Sequence, residues 1–122
     1  MKKEDFYTVP KANKGIRLPL LTEDGTDSGE WLQVRGTDSD AFREANFKST
    51  VATARLPDDM EEWERSQAID EAVLDTLVSL VAGWSFREPC TPEAVRDFLR
   101  NAPSVAASID RVAADRSKFY GA

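Results

Sequence analysis

The side chains that do most enzyme chemistry are scarce in this chain, and the commonest of them is missing altogether: its 122 residues include no histidine. That removes the usual general base, the usual partner in a catalytic triad and the commonest zinc ligand together. Cys90 is the lone cysteine, so no internal disulfide forms and nothing points to an oxidising compartment. As a nucleophile its thiol would have to ionise, which needs a cation or a helix N-terminus beside it; Arg87 and the helix expected after Thr91 are the nearest sources. A structural thiol is the plainer reading. Asp58, Asp59, Glu61 and Glu62 are spaced for metal binding or acid–base work, yet in a first helical turn negative charge already has a purpose, since it complements the helix dipole. Asp24, Asp27 and Glu30 suggest a calcium loop, but their spacing does not match the twelve-residue ligand pattern. Gly25 and Gly29 fit neither the dinucleotide fingerprint nor the P-loop. No catalytic, cofactor-binding or metal-binding residue is assigned, and the chain reads as a non-enzymatic binding protein.

What remains is a supply of large aromatics, which anchor either cores or interfaces. Trp84 and Phe98 are expected in the core. Trp31 on the polar face of a strand, Trp63 in a charged helix turn, Phe86, and the terminal pair Phe119 and Tyr120 are the candidate partner-binding residues.

The elements that would position these groups are mainly helical. Residues 1–14 read as a flexible, locally basic arm, and residues 15–122 as one domain: a β-hairpin over 15–36, then four helices over 37–122. In the hairpin, Ile16, Leu18 and Leu20 share one face of the first strand, and Leu32 and Val34 of the second point inward with Trp31, Gln33 and Arg35 on the opposite side; a turn-rich loop lies between. Pro19 has no amide to donate, which places the first strand at an edge. Thr37, Asp38 or Ser39 caps the first helix, which runs to about Leu56 with a thin apolar face. Pro57 ends it. The acidic run from Asp58 then opens a second helix, whose stripe is Ile69, Val73, Leu77, Leu80, Val81 and Trp84 and whose stop is Gly83. Thr91-Pro92-Glu93 is a strong start for a third helix, with Val95, Phe98, Leu99 and Ala102 on its buried face. Pro103 starts a fourth along Val105, Ile109, Val112 and Phe119.

The bulk properties exclude several classes. Apolar residues make up 41% and charged residues 31%, the balance of a globular domain. A net charge of -6 repels phosphate backbones, so nucleic acid is not an expected partner. The longest uncharged run, Thr76 to Phe86, is too short to cross a bilayer. Glu4 and Asp5 stand where a signal peptide would need apolar residues.

Three segments together resemble the tail assembly chaperones of long-tailed, siphovirus-type bacteriophages and prophages. The first is Gly29-Glu30-Trp31-Leu32-Gln33-Val34-Arg35-Gly36-Thr37-Asp38-Ser39, similar to a Trp-led strand, glycine and Asp-Ser cap. The second is Val81-Ala82-Gly83-Trp84-Ser85-Phe86 with Thr91-Pro92-Glu93, and the third is Pro103 with Ile109 and Arg116-Ser117-Lys118-Phe119. Ala94 departs from the asparagine that family members often carry there. The resemblance spans about Gly15 to Tyr120. It implies a protein of the host cytoplasm, absent from the mature virion, that binds the tape measure protein during tail assembly and self-associates. It also implies a frameshift-extended form that recruits the major tail protein. No cofactor is implied. The alternatives are a structural head–tail connector or tail-completion protein, and a small acidic regulator or antitoxin that neutralises a basic partner.

Overall fold

The computed structural model describes residues 1–120. Strand β1 (Ile16–Leu21) follows directly on Gly15, where the chain turns: its φ is +83°, and a Cβ there would lie 2.6 Å from the carbonyl oxygen of Val34. Only glycine tolerates both conditions. β1 pairs antiparallel with β2 (Asp27–Val34) in the register Ile16↔Val34, Leu18↔Leu32 and Pro19↔Trp31, with an irregularity before Leu21. Trp31 turns its amide and carbonyl toward Ser85, on the far side of β2. Its partner Pro19 therefore faces the open edge of β1, where the missing amide costs no ladder bond.

A third strand completes the sheet in the order β1-β2-β3, and it corrects the expected four-helix layout. β3 (Val81–Trp84) occupies what read as the end of the second helix. The reason lies in Arg35. Its guanidinium donates to the Ser79 carbonyl at 2.9 Å, and its backbone amide donates to the Leu80 carbonyl at 2.7 Å. Capture of these two acceptors draws the chain out of the helix and alongside β2, where Leu32 pairs with Trp84 and Gln33 with Gly83. The domain is mainly helical but mixed.

One face of the sheet is covered. Leu20, Leu32, Val34, Leu80 and Val81 form a core with Val95 and Leu99 of α4 (Pro92–Asn101) and Ile109 and Ala113 of α5 (Pro103–Ala114). Each of these side chains other than that of Ala113 contributes about 1.5–3 kcal/mol on burial. Thr91 caps α4 by accepting from the Ala94 amide at 3.2 Å, and Val95 and Leu99 then fall one turn apart on the buried side. Trp84, Phe86 and Phe98 close one end of this core as three edge-to-face pairs with centroids 5.3–6.0 Å apart.

The N-terminal segment is not a free arm over its whole length. A 3₁₀ turn at Lys3–Phe6 leads into α1 (Val9–Lys14), whose Ala12 is buried. Ala12 accepts from the Gly36 amide, Thr8 donates to Asp38, and Asn13 exchanges two hydrogen bonds with Asp40. Small and polar side chains at these positions let the backbone lie close and satisfy its neighbours, which a basic composition does not reveal. The last element, α6 (Ser117–Tyr120), folds back over this corner.

The remaining elements form a helical hairpin. α2 (Asp40–Ala54) is capped by Ser39, which accepts from the Phe42 amide, and packs against α3 (Glu62–Ser79). α3 starts four residues later than the acidic run at Asp58 suggested.

Candidate interaction surface

The α2–α3 hairpin is built with little to hide. None of the described residues between 43 and 71 is buried. Only its root joins the body: Phe42, Leu74, Leu77 and Val78 lie half-buried against the core, and Leu80 completes it. Arg96 and Arg100 of α4 brace the root by pairing with Glu71 and Asp75. Within the hairpin the less exposed positions of α3 before its root are Arg65, Ala68, Ala72 and Thr76, and those of α2 are Ala41, Phe42, Ala45, Ser49, Val51 and Thr53, with Leu56 just beyond its end. Apart from Val51, these recur at three- and four-residue spacing, so each helix turns one narrow, mostly small-residue stripe inward.

The large apolar side chains lie off that stripe. Phe47 is 69% exposed, Trp63 65%, Val73 51% and Ile69 38%. Phe47 stands two residues from both Ala45 and Ser49, which puts it on the opposite side of α2. Ile69 and Val73 stack one turn apart along α3. They were expected in the buried stripe, and their exposure is a correction: the spacing is helical, but no element covers that flank. Trp63 stands on a different flank of α3, beside Glu62 and Glu64. The result is a rod with greasy side chains on several sides rather than one flat patch.

The expected partner-binding residues are dispersed. Trp63 belongs to the hairpin. Trp31 is half-buried on the uncovered face of the sheet, with the Arg17 guanidinium 4.0 Å over its ring. Phe86 is half-buried and packs edge-to-face with Trp84 and Phe98. Phe119 is 2% exposed, and its ring atoms lie 3.2 Å from where a Cβ on Gly36 would stand. It is a core residue, which corrects its assignment to a surface. Tyr120, its neighbour, is exposed, with the Lys11 ammonium 5.6 Å over the ring and bonded to the Tyr120 carbonyl at 2.8 Å. Phe6 and Tyr7 are also exposed. No motif contains Phe6 or Tyr7, whereas the spacing in α2 places Phe47 off the thin apolar face of that helix, and an aromatic outside an apolar stripe is the signal for an exposed ring.

The chemistry-bearing residues are engaged otherwise. Cys90 lies on the rim of a cleft of about 300 Å³ shared with Arg35, Val78, Val81 and Thr91. Partial burial pushes its thiol up despite the opposing pull of Arg35, the reverse of what activation requires. The turn carboxylates serve the backbone and nearby hydroxyls: Thr22 and Thr26 donate to Asp24 and hold it below the usual carboxylate range. Asp27 accepts from the Gly29 amide and Glu30 from the Ser85 hydroxyl. Among the described residues, no group of three or more His, Cys, Asp or Glu side chains could hold a metal ion, and no helix is long and apolar enough to cross a membrane.

Comparison with family models, with characterised proteins and with solved structures finds no match to this chain.

Proposed function

We propose that this protein is a phage tail assembly chaperone, a binding protein that shields apolar stretches of the tape measure protein and performs no covalent chemistry. The observation that carries the reading is the hairpin: Phe47, Trp63, Ile69 and Val73 stand exposed on a helical arm whose outer part contributes nothing to the core. Exposed apolar groups of this kind mark sites of contact with other chains. Arranged around a rod, they suit many weak contacts along a long client, and such contacts add through effective concentration. The sequence resemblance supplies the identity of the client. It also supplies the work site, the host cytoplasm, and the second partner, the major tail protein, reached through a frameshift-extended form.

The test is co-expression with the tape measure protein. The wild-type chain should hold that protein in solution and co-purify with it, and Phe47→Ala with Trp63→Ala should lose both effects while keeping native circular dichroism. Recovery of the chain in stoichiometric amounts from purified virions would replace this reading with a structural head–tail component.

A further inference from the structure

The net charge of -6 is not spread over the molecule. From Asp40 to Ser79, the span of α2, α3 and their connection, there are ten acidic and four basic side chains, while the rest of the chain carries twelve of each. The body is electrically balanced and the hairpin holds the entire excess. At the root, Glu71 and Asp75 are neutralised by Arg96 and Arg100, and on α2 Glu44 pairs with Lys48. Asp58, Asp59, Glu61, Glu62, Glu64 and Asp70 form no salt bridge among the described residues. They surround or flank the exposed Trp63 and Ile69.

We propose that the outer hairpin docks a cationic amphipathic segment of a partner polypeptide, one in which Lys or Arg residues flank apolar ones. The proposal rests on reading the chain as a chaperone and specifies the chemistry of the client. A purely apolar segment laid on this surface would strip water from carboxylates without supplying counter-charge, which is costly. A basic one compensates them, and the indole face of Trp63 itself attracts cations. A second copy docked hairpin against hairpin is disfavoured as the occupant, because it would bring two acidic surfaces together.

The test uses the full chain and three synthetic peptides in fluorescence anisotropy: an amphipathic helix of Leu and Lys about 18 residues long, the same composition in shuffled order, and a Leu and Glu analogue. The amphipathic Leu/Lys peptide should bind at least about tenfold more tightly than either control, and its affinity should fall as salt is raised. Trp63→Ala, and separately Glu61→Gln with Glu62→Gln and Glu64→Gln, should each weaken it about fivefold or more, while Leu21→Ala on β1 leaves it unchanged. Equal binding of the Leu/Glu peptide, unchanged binding by the glutamine variant, or hairpin-mediated dimers strengthened at low salt would overturn the proposal. Co-purification of the tape measure protein without any peptide preference overturns this inference alone. Peptide preference without co-purification overturns the chaperone reading alone.

Discussion

Arg116 grips Asp38 with two parallel hydrogen bonds, Nε to Oδ2 at 2.8 Å and Nη2 to Oδ1 at 2.9 Å, joining positions seventy-eight residues apart. Thr8 donates a third bond to the same carboxylate, so Asp38 ties α1, the approach to α2 and the C-terminal turn into one corner. The Arg116 and Thr8 donors, in that order, hold its carboxyl well below the usual range, at about 2. A lowered folded-state value contributes stability that is present above the unfolded-state value of about 4 and is lost as pH falls toward about 2. Because Arg116 is mostly exposed, solvent screening keeps the effect small. Urea denaturation between those limits should show this loss in the wild type and a flatter profile in Asp38→Asn; equal slopes would exclude the corner as its source.

Gly36 and Phe119 should prove to be one packing unit. A Cβ on Gly36 would stand 3.0 Å from the Ala12 Cβ and 3.2 Å from the Phe119 ring, so Gly36→Ala is expected to cost about 1–3 kcal/mol by overpacking. Phe119→Ala should cost about 3–5 kcal/mol through the cavity it leaves. Phe119→Leu should relieve Gly36→Ala, giving a favourable coupling in a double-mutant cycle.

Tyr120 should behave oppositely to the residue beside it. Tyr120→Ala removes an exposed ring and a contact with Lys11, a change of about 0.5–1 kcal/mol. Thermal melts of the two single alanine variants separate them. Comparable losses would mean that the terminal turn packs differently.

Phe47→Ala and Trp63→Ala should leave folding stability within about 0.5 kcal/mol of wild type, since neither side chain is covered by the fold. Thr91→Ala, by contrast, removes the cap that holds the Ala94 amide and should cost about 1 kcal/mol. Chemical denaturation ranks the three variants, and a Trp63→Ala loss above about 2 kcal/mol would show that the ring is packed.

Much of the fold was legible because its signals are local. The alternation in Ile16–Leu20 and Leu32–Val34, the Ser39 and Thr91 caps and the prolines at 92 and 103 each act within a few residues, and each marks the element found there. The third strand was not legible. Leu80, Val81 and Trp84 fit a helical stripe as well as a short strand, and the choice is made by Arg35, more than forty residues away. The surface divides in the same way. Trp63 stands out among acidic neighbours, as expected of an exposed ring, and Phe119, unlike Tyr120, continues the stripe of Val105, Ile109 and Val112, a signal for burial that outweighs its place near the end of the chain. Ile69 and Val73 show the converse: helical spacing signals a face to be covered, not that the chain itself provides the cover.

Pro19 has a consequence for how copies of this molecule can join. Zipping one sheet onto another requires a row of amides and carbonyls along a free border, and on β1 that row is interrupted where Pro19 faces outward. The opposite border, β3, is four residues long. Neither is a good template for continuous backbone pairing, so amyloid-like stacking is blunted at both ends of the sheet, and any higher assembly would rely on side chains instead.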